Sequence, residues 1–163
     1  MITNSKAWLI GVALLGSAGL VSAKDLATLQ AVTAQLANCP AAATAANAYK
    51  GVVIPAGVVA AVIGQKDVAK LAANDKQMYD HATAVGKQLN LCASALQARQ
   101  QQINPWLPVL GQNPQAITPD TAKALMANEA AYTKGLESMA YVMSQEHTRK
   151  LFAGRLHHQA TGK

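Results

Sequence analysis

Met139, Met143 and His147 follow one another at steps of four, which places two thioethers and an imidazole along one face of a helix. Thioether and imidazole together suit soft copper, and a methionine with a histidine is also an axial pair for haem. No C-x-x-C-H run for covalent haem attachment occurs in the chain. Further ligands would have to come from another helix, with Met78 the candidate. The plainer account is that methionine fills irregular gaps in a core, with the histidine at the edge of the stripe. The expectation is therefore a chain without metal or cofactor, with Met139, Met143 and His147 kept as the alternative set.

The other reactive side chains converge less. Cys92 and His81 are eleven residues apart, roughly 16 Å along a helix, too far for proton transfer. Asp75 and Glu129 each fall on an apolar stripe, but a di-metal carboxylate centre uses Glu-x-x-His on paired helices. Here Asp80 directly precedes His81 and Glu146 directly precedes His147, so the members of each pair point about 100° apart. No glycine-rich phosphate loop and no G-x-S-x-G turn is present. An enzyme is not expected.

Composition limits the remaining classes. The chain has 163 residues, 51% hydrophobic and 13% charged, too apolar to be disordered and about one domain long. A net charge of +6 permits an acidic partner but is modest for dedicated nucleic-acid binding. Residues 1–23 have a positive start at Lys6, an uncharged run from Ala7 to Val21, and a small-residue end at Val21-Ser22-Ala23. That is the form of a signal peptide cut after Ala23, and fifteen apolar residues fall short of the ~20 that span a bilayer. The expected mature chain, 24–163, is a single helical domain in the periplasm or secreted. In such an oxidising compartment two cysteines are most simply one disulfide.

Prolines 40, 55, 105, 108, 114 and 119 divide the mature chain. Two long proline-free stretches remain. From Val68, the positions Leu71, Met78, Ala82, Val85, Leu89, Cys92 and Leu96 recur at heptad spacing, which predicts a helix from about Asp67 to Gln102. Thr118-Pro119-Asp120 opens a second helix with a capping threonine, a first-turn proline and an acid at the positive end of the dipole. Its seam reads Ala122, Leu125, Glu129, Tyr132, Leu136, Met139 and Met143, and it is expected to run to about His157. Trp106, Leu107, Val109 and Leu110, between the two, are expected to fold back over the bundle end. A shorter helix near Asp25 carries Leu29, Val32, Leu36 and Cys39 on one stripe. Cys39 and Cys92 therefore lie on two inward stripes and are predicted to be bridged. The fold expected is all-α, a small bundle of two long antiparallel helices with the N-terminal helix disulfide-linked to it.

Two segments stand out as contact candidates. Gly51–Gly64 (GVVIPAGVVAAVIG) carries no charge, and its Val52, Val53, Ile54, Val58, Val59, Val62 and Ile63 form either a core element or an apolar surface for a partner or membrane. After Glu146 the chain has cations and no acid. Arg149, Lys150 and Arg155 complement a helix C-terminus, or meet an anionic surface. With only Phe152 there to stack on a base, nucleic acid is not expected. An exported, alanine- and glutamine-rich chain with two long heptad helices is broadly similar to periplasmic accessory proteins of secretion or conjugation systems. That similarity implies a non-enzymatic docking module whose partner is an envelope protein, a membrane surface or a second copy of the chain. The alternative is a periplasmic haem- or copper-binding bundle.

Overall fold

The computed structural model describes residues 23–162, and among these the regular structure is helical throughout. The elements are α1 (Ala23–Gln35), α2 (Asn38–Asn47), α3 (Ala56–Val62), α4 (Ala73–Ile103), α5 (Trp106–Gln112), α6 (Pro119–Ser144) and α7 (Glu146–Thr161). Short 3-10 turns precede α4 at Val68–Lys70 and α6 at Pro114–Ala116. The expected signal segment lies outside the described residues but for Ala23. No helix among the described residues is long and apolar enough to cross a membrane.

The architecture is the expected helical bundle, with α4 and α6 as its two long antiparallel members and α1 and α2 packed against both. Its N-terminal stripe is as read: Leu29, Val32, Leu36 and Cys39 are all buried, and Ala42 and Ala46 extend it. The single N-terminal helix is, however, two. Pro40 has no amide to give the Leu36 carbonyl, which instead accepts from the Cys39 amide at 3.0 Å, a tighter turn. The Asn38 side chain donates to the Gln35 carbonyl at 2.7 Å and closes α1. Cys39 thus sits in the first turn of α2, where it is bonded to Cys92 of α4 across a Cα–Cα distance of 4.8 Å. Leu36, Ala95 and Leu96 bury the bridge, with Ala131, Tyr132 and Met139 closing over it.

The long helices differ from expectation at their ends. Asp67 caps the 3-10 turn by accepting from the Ala69 amide at 2.9 Å, and extended backbone at Leu71 and Ala72 delays α4 to Ala73. Thr118 caps α6 as read, accepting from the Thr121 amide at 3.2 Å, with Pro119 in the first turn. The helix then ends at Ser144 rather than running to His157. Gln145 is extended (φ −70°, ψ 133°), and the Tyr141 carbonyl is taken by the Ser144 hydroxyl at 2.7 Å and the Gln145 side-chain Nε2 at 3.3 Å. Polar side chains that compete for carbonyls can end a helix without proline or glycine. In α5, Trp106 and Val109 are buried while Leu107 and Leu110 face out.

The buried face of α6 is Asn128, Gly135, Ser138 and Val142. Asn128, fully buried, donates to Thr33 of α1 at 2.8 Å and accepts from Arg99 of α4 at 3.1 Å. Arg99 also lies over the Tyr132 ring, 4.1 Å from its centre, and pairs with Glu129, so the acid expected on the seam is on the surface. Asn128→Leu keeps the branched heavy-atom skeleton but leaves the Arg99 Nε–H without its acceptor. It is expected to cost about 2–3 kcal/mol, read from urea unfolding midpoints.

Candidate functional site

The break at Gln145 turns α7 across the bundle, so that its first-turn residues His147 and Thr148 point inward and are buried. Beyond them Gly154 meets α3. A methyl group there would stand 2.8 Å from Val59 Cγ1, so only glycine allows this approach. The Gln65 side chain reaches His158 at 3.4 Å and ties the end of the apolar segment to the same helix.

Between α3, α4, α6 and α7 lies a cavity of about 660 Å³, within the range of small-ligand sites. Met78 and His81 face it from α4, Met139 and Met143 from α6, and His147 from α7. The sequence-derived set of Met139, Met143 and His147, with Met78 from another helix, is thus brought to one void in spite of the helix break. His81 was missed as a member. Its ring is stacked on Tyr49, with centres 3.7 Å apart and planes 25° from parallel. His147 is only 5% exposed. The Nε2 atoms of His81 and His147 are both shielded from solvent and have no hydrogen-bond partner. Burial pushes the His81 imidazole below its ordinary value, and the nearby His147 adds to this; burial lowers His147 as well. Both rings are therefore neutral in a cavity that Met78 and Met143 also line, while Met139 lies towards its far end, packed against the disulfide cluster at Cys92, about 21 Å from Met78 along α4.

The apolar segment divides between core and surface. Ile54, Val58 and Ala61 are buried, Val52, Val59, Val62 and Ile63 are half-buried, and Val53 is 73% exposed. Along α7, Arg149, Phe152 and Leu156 follow at steps of three and four and stand on one outward face, with Lys150 and Arg155 to either side. Phe152 and Leu156 are each half exposed. Glu146 pairs with Lys150 at 2.9 Å, and that cation holds its carboxyl below the ordinary value. Phe152 and Arg155 share the cavity wall with Ile54 and Val62. The two contact candidates, far apart in sequence, meet at one end of the bundle. No protein-family model, curated protein or solved structure matches this chain.

Proposed function

We propose that the chain is an exported, non-enzymatic accessory module that docks onto an envelope protein assembly through the end formed by α3 and α7. The observation that carries this is the packing of the apolar α3 segment, at Val59 and Ile63, on α7 at Gly154, where α7 exposes Phe152 and Leu156 among Arg149, Lys150 and Arg155. Exposed apolar side chains rimmed by charge are typical of interaction surfaces, and cations steer an acidic partner into register. The buried disulfide is compatible with life outside the cytoplasm, and the export signal read at residues 1–23 supplies the route.

The test is in-cell photocrosslinking from a probe replacing Val53 and, separately, Lys150, with Gln97 on the exposed side of α4 as control. Both experimental positions are expected to yield a common envelope-protein adduct that Phe152→Asp strongly reduces and that the control position lacks. Adducts to lipid alone would assign the surface to a membrane instead. Their complete absence would remove the docking reading.

A further inference from the structure

We propose that the cavity between α4, α6 and α7 is a binding site for a soft monovalent metal ion, copper(I), with Met78, His81, Met143 and His147 as its donor set. Three helices deliver two imidazoles and the thioethers of Met78 and Met143 to the wall of one cavity, with Met139 farther along it, against the disulfide cluster. His147 is nine-tenths buried, and its Nε2, like that of His81, lacks the hydrogen bond that a buried polar atom ordinarily finds. A metal ion supplies what each nitrogen lacks. Thr148 Oγ1, beside His147, is unpartnered as well, so this end of the cavity is polar where a plain apolar core would not be.

The donor chemistry selects the ion. Thioether sulfur is soft and favours copper(I), whereas zinc takes imidazole with thiolate or carboxylate and the harder cations take oxygen. No group of three or more His, Cys, Asp or Glu is assembled among the described residues. The chain's two cysteines are bonded to each other, so no thiolate competes for the ion. Haem would use two axial donors and leave two idle; copper(I), which takes up to four ligands, can engage two thioethers and two imidazoles together. The Tyr49 ring stacked on His81 orients that imidazole from outside the ligand set, as outer-shell groups do at metal sites. This inference rests on the inner donors of the cavity and not on the docking surface, although Phe152 and Arg155 border both. It involves the interior side of α7, and either can fail alone.

Titration of the whole chain with silver(I), a redox-silent stand-in for copper(I), followed by methionine methyl resonances, tests the site without a mutation. Met78 and Met143 are expected to shift together and saturate at one equivalent, while Met126, 72% exposed on α6, stays in place. Copper(I) held reduced with ascorbate and competed against a chromogenic chelator then gives an affinity. Met143→Leu and His147→Gln should each lower it by at least about tenfold, the loss already typical of outer-shell partners, whereas Met126→Leu should leave it unchanged. Equal shifts at Met126, no saturation at one equivalent, or a haem Soret band with no copper uptake would each overturn the proposal. Where a variant loses its helical circular-dichroism spectrum, the wild-type resonance shifts still decide.

Discussion

Replacing both Cys39 and Cys92 by alanine is expected to lower stability by about 4 kcal/mol. The bridge spans a sequence separation of 53, and the loop-closure entropy it removes from the unfolded chain comes to that amount. For a domain whose whole margin is ordinarily about 5–15 kcal/mol, this is a large share. The consequence is also local. Both sulfurs are fully buried at the centre of the Leu36–Ala95–Leu96 cluster, so the variant loses packing where α2 meets α4 as well as the covalent tie. Alanine is preferred to serine, because a serine hydroxyl there would be buried among apolar atoms. Urea unfolding is the direct measurement, with the melting temperature expected to fall by roughly 12 °C. A loss below about 1 kcal/mol would show that the unfolded chain is already constrained around this loop, and would contradict the entropic account.

The stripes of the N-terminal helix and of α4 were legible because many of their buried positions are also their larger apolar ones: Leu29, Val32, Leu36, Val85, Cys92 and Leu96. The face of α6 was not. Hydropathy pointed to Leu125, Tyr132, Leu136 and Met139, yet the residues turned deepest inward are Asn128, Gly135, Ser138 and Val142. Leu136, read as a seam residue, is 45% exposed. Apolar periodicity registers how much surface a side chain can bury and is blind to how closely a backbone must approach. The same limitation hid the end of α6, where Ser144 and Gln145 take the Tyr141 carbonyl without any proline to announce it. Pro40, by contrast, did carry the turn between α1 and α2 in its missing amide. The metal-donor set was half legible. Spacing alone groups Met143 with His147, and Met139 with them although it packs at the disulfide, while the inclusion of His81 depends on the angle at which α7 leaves α6. No local pattern encodes that angle.

Gly135→Leu is the second substitution expected to have a large effect, and it tests why α6 presents small residues. A Cβ at this position would stand 3.3 Å from both Cys39 Sγ and Leu96 Cδ2. Alanine requires its neighbours to yield by only a few tenths of an ångström. Its better helix propensity, about 1 kcal/mol over glycine, offsets much of that strain, so Gly135→Ala should be close to neutral. Leucine adds three further carbons towards a bridge whose two half-cystines are tied together and cannot part. The helix must then move off α2, and the expected cost is about 3 kcal/mol, the upper part of the range for overpacked cores. If the bridge is what holds α6 to a small residue here, removing it should make room. In the Cys39→Ala/Cys92→Ala background, leucine at 135 should cost at least about 1 kcal/mol less than in the native chain, a coupling of the size found between residues in contact. Costs that simply add, within about 0.5 kcal/mol, would mean that leucine is resisted by α6's other neighbours, Leu96 first among them, and that the small face is not there to seat the disulfide.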